Sequence, residues 1–268
     1  MSTISANLVK ELRDQTGAGM MDCKRALEQT EGDVASARTL LRERGMAQAG
    51  KRAGRETTEG KVGVRIRDGV GTMVAVGCET EPVSGNAEFL AYAERVLDAV
   101  EREGAEAVVS LDGERVELMA KIGENVAVRG ATRMEAGEGD LLAAYVHPPA
   151  HKIGVLVRVR GGSEEAARLL AMHASFGAPG WLRREEVPAE VLDAERSVYA
   201  NTEQVLSKPE GAREQIVEGM LGKRFFAAQP GGVLLDQPWI HDTSKTVARA
   251  LADEGLELLD LVRYAVDE

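Results

Sequence analysis

The spacing of apolar residues changes at about residue 61, and this change limits the possible folds more than any other feature of the sequence. Before it, apolar residues recur at the spacing of one helix face, as in Val34, Ala37, Leu40 and Leu41. After it, they occupy every second position of a predicted strand, as in Val62, Val64 and Ile66. A chain that opens with helices and continues with strands and helices is predicted to adopt an α+β fold with antiparallel sheets.

Residues 1–50 are predicted to form a compact three-helix module. The predicted helices run from about Ser5 to Gln15, from Met20 or Met21 to Gln29, and from an N-cap at Asp33 to about Gly45. Gly17-Ala18-Gly19 ends the first helix, because glycine readily adopts the backbone angles of a helix C-terminus. Residues 51–60 are predicted to be a linker, which carries the basic residues Lys51, Arg52 and Arg55.

Residues 61–140 and 141–268 are predicted to be the two parts of an α+β core. In the first part, Asp68-Gly69 is a hairpin turn between two strands, and an amphipathic helix follows with its apolar stripe through Phe89 and Val96. A similar arrangement is expected to recur from Val126, which begins a strand, with further strands over Leu141–Val146 and Ile153–Val159. A helix that opens at Ser163 or Glu164 completes what looks like a second version of the same α+β unit.

Two further elements are predicted in the second part of the core. Residues of about 190–226 resemble an antiparallel helical hairpin, with one helix over Glu190–Leu206 and another over Ala212–Phe226. Each of these helices has only a narrow apolar stripe, which suits packing against one partner helix. Residues of about 239–268 are predicted to form a C-terminal module with a helix opening at Thr243 or Ser244 and a final strand.

Charge and composition limit the classes of partner. Lys plus Arg number 33 against 44 Asp plus Glu, giving a formal net charge of −11, and aromatic residues make up 4% of the chain. Such a chain is poorly suited to phosphate backbones or to stacking on single-stranded bases, although the basic linker leaves a local RNA contact open. No apolar stretch approaches the ~20 residues of a membrane span, and no signal peptide is expected.

The two cysteines indicate the redox compartment. Cys23 and Cys78 lie far apart in the sequence and fit no metal-ligand spacing. Buried, reduced thiols are therefore expected, as in a cytoplasmic protein.

No catalytic residue, metal site or cofactor site is predicted. The sequence contains no GxxxxGK[ST] loop, so direct nucleotide binding is not expected. His147 and His151 have the spacing of a helical zinc pair, but Pro148-Pro149 excludes that helix. The four histidines are therefore expected in loops or at the surface. Because no nucleophile or carboxylate pair stands out either, the chain is not expected to be an enzyme.

Met20 and Met21 are the most informative pair of apolar residues in the small module. They follow a glycine-rich turn at the start of the second helix. The adaptable side chain of methionine suits a binding surface, but it suits core packing equally well for one of the two. The sequence leaves both interpretations open.

Several stretches resemble a known family. The longest are Leu8-Val9-Lys10-Glu11-Leu12-Arg13 and Thr16-Gly17-Ala18-Gly19-Met20-Met21-Asp22-Cys23-Lys24, followed by Ala26-Leu27, Gly32-Asp33 and Lys51-Arg52-Ala53. Others are Cys78-Glu79-Thr80, Ile216-Val217-Glu218-Gly219, Phe225-Phe226, Leu234-Leu235, Gln237-Pro238 and Ser244-Lys245-Thr246-Val247. Together they resemble the signature of bacterial elongation factor Ts over nearly the whole chain, more patchily between about 100 and 215.

The resemblance implies an architecture and a mechanism. The architecture is a ubiquitin-associated-like three-helix module, a two-part α+β core, a projecting helical hairpin and a C-terminal module. The mechanism is guanine-nucleotide exchange in translation elongation. The factor binds elongation factor Tu with GDP, dislodges Mg²⁺ and promotes GDP release, so that GTP can bind. The module with Met20 and Met21 and the core grip the GTPase, and no membrane or nucleic-acid partner is implied.

One site departs from the family pattern. In the family, a loop of sequence Thr-Asp-Phe-Val presses on the GTPase near its metal site, and the Phe acts as a wedge. The corresponding residues here are Thr80, Glu81, Pro82 and Val83. Glu81 keeps the charge, whereas Pro82 replaces the aromatic ring. The alternative function is therefore a diverged paralogue that binds the GTPase without exchanging its nucleotide.

Overall fold

The computed structural model describes residues 4–268, apart from the side chain of Gln48. The first three residues of the predicted module lie outside the described part of the chain. The fold that follows is a mixture of helices and antiparallel sheets, which confirms the predicted α+β class.

The small module consists of three helices with caps that the sequence specifies. Their bounds are Ala6–Thr16 for α1, Met20–Gln29 for α2 and Val34–Arg52 for α3. The carboxylate of Asp33 accepts hydrogen bonds from the backbone N–H groups of Ala35 and Ser36, which confirms the predicted N-cap. The module has its own core, formed by Val9, Leu12, Cys23, Ala26, Leu27 and Ala37.

The connection between the small module and the core is shorter than the predicted linker over 51–60. Helix α3 continues seven residues past Gly45 and ends at Arg52, and the first strand already begins at Glu59. Ala49, in the last turns of α3, is 1% exposed and packs into the core of the neighbouring sheet and helices. Alanine and long basic side chains are good helix formers, so this polar stretch extends the helix instead of ending it.

The first α+β unit contains a three-stranded antiparallel sheet in the order β1-β2-β3. Its strands are β1, Glu59–Arg67; β2, Val70–Cys78; and β3, Val126–Glu135. The predicted hairpin turn is confirmed, since Asp68 and Gly69 have φ of 51° and 74°, as a two-residue turn requires. Three helices lie between β2 and β3: α4, Glu81–Ser84; α5, Ala87–Glu103; and α6, Asp112–Ile122, preceded by a 3₁₀ turn over Ala105–Leu111.

The second unit repeats the connectivity of the first. Strand β4 covers Asp140–Val146, β5 covers Ile153–Gly161, helix α7 covers Glu164–Gly177, and β8 covers Leu256–Ala265. The sheet order β4-β5-β8 matches β1-β2-β3, and each unit has a register shift in the pairing of its central strand with its third strand. The predicted repetition is confirmed, but the strand from Val126 closes the first unit.

The two sheets pack face to face, with helices on both outer faces. Alternate residues of β2 decide this arrangement, because Met73 and Ala75 face the other sheet while Val74 and Val76 face α5. Gly154 lets the sheets approach closely, since a Cβ at this position would lie 2.4 Å from a methyl carbon of Val62. The result is a four-layer core.

A helical hairpin projects from the second unit, but its first helix is not continuous as predicted. The segments are α8, Ala189–Ala200; α9, Glu203–Leu206; α10, Glu210–Met220; and a π-helical turn over Leu221–Phe226. The helix breaks at Asn201 and Thr202, whose side chains donate hydrogen bonds to the carbonyls of Ser197 and Tyr199. Such side chains compete with the helical backbone, which explains the break.

The C-terminal stretch contains two short strands, a helix and β8. Strand β6 is Pro238–Trp239, β7 is Asp242–Thr246 and α11 is Val247–Asp253. Thr246 caps α11 through its hydroxyl, so the helix begins later than the predicted Thr243 or Ser244. Since β8 completes the second sheet, residues 239–268 are built into the core.

A buried hydrogen-bond network fastens this stretch to α7. His173 is fully buried, which corrects the expectation of surface histidines for this residue. Its Nε2 lies 3.0 Å from Oε1 of Gln237, and its Nδ1 accepts from the backbone N–H of Ile240. The amide nitrogen of Gln237 donates to the carbonyl oxygens of Gly177, Ala228 and Gly231.

We expect this histidine to make the fold sensitive to mild acid. Burial lowers the pKa of His173 from 6.5 to about 4. The unfolded chain therefore takes up a proton below pH ~6.5 that the folded chain does not, and stability falls as the pH drops from about 6.5 towards 4. The loss from this group is up to about 3 kcal/mol. Urea unfolding between pH 7.5 and 4.5 measures it. His173→Gln should have a flatter profile than the wild type, whereas the exposed-site control His151→Asn should keep the wild-type slope.

Candidate functional site

Met20 and Met21 form an exposed apolar pair at the start of α2. Gly17, in the left-handed region at φ 67°, ends α1 and allows the chain to turn into α2. Met20 is 55% exposed and Met21 is 60% exposed. Of the two interpretations that the sequence leaves open, core packing therefore applies to neither residue. Cys23, Ala26 and Leu27 already complete the buried face of α2.

The charged residues beside the two methionines pair with one another along α2. Arg25 contacts Asp22 at 2.6 Å, and Lys24 lies 3.8 Å from Glu28. Both pairs are exposed, so they add little stability but keep the surroundings of the methionines polar. A small apolar patch within a polar rim is typical of a surface that binds a partner.

Residues 81–84 form one helical turn, α4, and not an irregular loop. Thr80 is the N-cap, and Pro82 lies in the first turn, where a backbone N–H has no helical partner to lose. Glu81 and Pro82 are exposed, whereas Val83 packs against the core beneath α5. The turn therefore presents Glu81 and Pro82 to solvent on a base that Val83 anchors.

Cys78 supports this turn from below. Its thiol lies 3.3 Å from the carbonyl oxygen of Thr80 and donates a hydrogen bond to it. Burial, assisted by the negative charge of Glu124, raises the pKa of Cys78 to about 12, so the thiol keeps its proton at neutral pH. Both cysteines are free and buried, as predicted, and Cys78 acts here as a hydrogen-bond donor.

Lys121 of α6 connects the surroundings of the two candidate surfaces. Its side chain lies against Gly17, where a Cβ would come within 2.6 Å of its Cε. Its ammonium group contacts the carboxylate of Glu88, in the first turn of α5, at 2.5 Å. The turn before Met20 and the helix after α4 therefore flank one side chain.

Three residues that no sequence pattern assigned to a site hold the base of α4: Glu79, Glu124 and Asn125. Glu124 accepts hydrogen bonds from both the backbone N–H and the hydroxyl of Thr80, at 3.0 and 2.6 Å. Glu79 accepts from the backbone N–H of Asn125 at 2.6 Å and pairs with Arg55. The signal in the sequence was the pair of polar residues directly after Gly123. Polar residues are common after the end of a helix, so this pair alone indicates no function.

The remaining candidate ligands form no metal site. Among residues 4–268, no group of three or more His, Cys, Asp or Glu residues is arranged to hold an ion. His147 and His151 lie in the turn after β4, as predicted, and the ring of His147 packs edge-on against Phe176. Within the same range, no helix is both long enough and apolar enough to cross a membrane.

Comparison with known proteins places the chain in a family. The model of the family described as elongation factor TS matches residues 79–268. The elongation factor Ts of Idiomarina loihiensis is 39% identical over 275 residues, which cover 99% of this chain and 91% of that protein. This chain belongs to the elongation factor Ts family. The elongation factor Ts of Thioalkalivibrio sulfidiphilus is 40% identical over 99% of the chain, and that of Escherichia coli is 38% identical over all of it.

Family membership assigns a role in translation elongation and extends to the small module. The family model begins at Glu79, whereas the matches to elongation factor Ts from individual species cover 99% or more of the chain. The module with Met20 and Met21 is therefore part of the likeness.

Proposed function

We propose that this chain is a guanine-nucleotide exchange factor, which binds elongation factor Tu with GDP, dislodges its Mg²⁺ and promotes GDP release. The observation that carries the proposal is the pair of exposed surfaces held by one framework. Met20 and Met21 stand on one helix start, and Glu81 and Pro82 stand on another. The resemblance to the elongation factor Ts family implies that these positions contact the GTPase.

The proposed activity requires binding and no bond chemistry, so we do not regard the chain as an enzyme. A factor that binds the nucleotide-free GTPase most tightly weakens GDP, and GDP weakens the factor by the same ratio. Loss of the metal weakens GDP binding most, because Mg²⁺ is the largest local charge that holds the diphosphate. Displacing it lowers the affinity for GDP before the nucleotide leaves.

The two surfaces have different tasks in this mechanism. The flexible, polarisable side chains of Met20 and Met21 fit an apolar depression on the GTPase and contribute affinity. The α4 turn is short, anchored by Val83 and hydrogen-bonded at Thr80, so it keeps its conformation when it contacts the partner. Glu81 and Pro82 at its exposed edge press towards the metal site.

Release of a fluorescent GDP analogue from elongation factor Tu tests the proposal. The release rate should rise in proportion to the concentration of the chain and reach a plateau at high concentration. An unchanged release rate, combined with measurable binding to the GTPase, would favour the second candidate, a binding protein without exchange activity. Pro82 is the specific observation behind that candidate, since it stands where the family has an aromatic wedge.

We expect Pro82→Phe to accelerate GDP release by about tenfold, which corresponds to ~1.4 kcal/mol. A buried aromatic anchor contributes ~2 kcal/mol or more, whereas the stiffness of proline contributes ~1 kcal/mol or less. The exposed position of Pro82 leaves room for the larger ring. Stopped-flow release at several concentrations of the factor measures the change.

Pro82→Ala is the matched control, because it removes the proline without adding a ring. If Pro82→Ala accelerates release as much as Pro82→Phe, the flexibility of the α4 turn and not the aromatic ring limits the rate. If Pro82→Phe slows release, this turn acts through a contact adapted to its own partner.

A further inference from the structure

Three segments of the chain meet at Asn125, which is 2% exposed. Its side-chain nitrogen donates to the carbonyl oxygens of Arg55 at 2.6 Å and Ala53 at 3.4 Å, just beyond the end of α3. Its backbone N–H donates to the carboxylate of Glu79 at 2.6 Å. One residue thus fastens the chain leaving the small module to the chain entering α4.

Neighbouring side chains complete the connection. Arg55 reaches the same carboxylate of Glu79, at 3.3 Å. Glu124, next to Asn125, holds the N-cap Thr80 through two hydrogen bonds. We call these five residues, Arg55, Glu79, Thr80, Glu124 and Asn125, the Asn125 joint.

The hydrogen bonds of the joint indicate that it orients the small module and does not merely fill space. The carbonyl oxygen of the Asn125 side chain is buried and has no hydrogen-bond partner among the described protein groups. An apolar residue would avoid the cost of burying that oxygen, but it could not bond the two carbonyls past α3. Directional bonds fix the angle at which the module leaves the core, which apolar packing alone controls less strictly.

We infer that the Asn125 joint is a positioning device, which holds Met20 and Met21 and the α4 turn at one fixed separation. This inference rests on the proposed exchange function. Two surfaces that are already placed to meet one GTPase lose less freedom on docking, and binding of the first raises the effective concentration of the second. The joint is a polar contact between the segment that follows the small module and the segment that begins α4.

The two halves of the joint should affect different parameters of exchange. Asn125→Ala frees the chain after α3 but keeps the backbone bond to Glu79. It should raise the factor concentration for half-maximal GDP release about tenfold and change the maximal rate less than twofold. Glu124→Ala releases Thr80 and α4, and should lower the maximal rate about tenfold. Glu124→Gln keeps an acceptor for Thr80 and should recover most of that rate.

The test is stopped-flow release of fluorescent GDP across a range of factor concentrations, with hydrogen exchange measured over residues 53–58. Asn125→Ala should speed hydrogen exchange in this segment, while the melting temperature of the core changes little. Glu114→Ala is the matched control, since Glu114 is an exposed residue of α6 whose carboxylate pairs with Arg95 outside the joint.

The outcomes separate this inference from the proposed function. If the wild-type chain does not accelerate release, the proposed function fails and the positioning role fails with it. If the wild type is active and Asn125→Ala matches it at every concentration, the positioning role alone is refuted. If Asn125→Ala and Glu124→Ala lose GDP-release activity equally and in proportion to a fall in melting temperature, the joint contributes to stability only.

Discussion

Gln237→Leu is expected to lower the free energy of unfolding by about 3–5 kcal/mol, the largest loss that we anticipate for a single polar residue of this chain. Leucine has a similar volume but no polar atoms. The substitution removes the acceptor for His173 Nε2 and the donors for three backbone carbonyls. Buried groups that lose one partner pay the full cost of their desolvation, about 1–3 kcal/mol each before the structure relaxes.

Urea unfolding monitored by tryptophan fluorescence measures this loss, because Trp239 stacks on His173 at 5.0 Å. Gln229→Leu is the matched control. Gln229 is exposed and makes a hydrogen bond to the carbonyl of Pro238. We expect it to cost less than ~1 kcal/mol. Similar losses for the two variants would show that water or a rearranged backbone replaces the bonds of Gln237.

The double substitution of Met20→Ala and Met21→Ala is expected to have the largest effect on binding. Each side chain is more than half exposed, so the free energy of unfolding should change by less than ~1 kcal/mol. Affinity for elongation factor Tu should fall about 30- to 100-fold, which corresponds to ~2–3 kcal/mol. Calorimetric titration of the nucleotide-free GTPase gives the affinity, and thermal melting gives the stability.

Met46→Ala provides the comparison for this pair. Met46 is 46% exposed on α3 of the same module, so it matches the pair in residue type and exposure. Its substitution should leave the affinity within about twofold of the wild type. Equal losses for Met46→Ala and the double variant would mean that binding is spread over the module and not centred on the start of α2.

Local signals in the sequence predicted much of the fold. Asp33 caps α3 and Asp68-Gly69 makes a hairpin, because each effect depends on a few neighbouring atoms. The alternating strands were found for the same reason. Helix α6 was not predicted, since its apolar stripe is short and a 3₁₀ turn over Ala105–Leu111 precedes it.

The positions of single side chains were harder to predict, because they depend on distant parts of the chain. Met20 lies three residues before buried Cys23, a spacing that suits a buried residue as well as an exposed one. Only the position of α2 relative to α1 and α3 decides between them. Asn125 bonds the carbonyl of Arg55, 70 residues away in sequence, and Gln237 bonds that of Gly177, 60 residues away, so no local pattern could assign these contacts.

The path of α3 sets where this protein can be recombined with its relatives. A chimaera joined at residue 50 would cut inside a helix and separate Ala49 from the core into which it packs. The turn between Glu135 and Asp140 is a better junction, because each three-stranded sheet stays within one parent. Sequence drift should follow the same division. Substitutions in α3 should be accompanied by substitutions in α6. Coupled substitutions between the two sheets should occur mainly at the apolar residues where the sheets face each other.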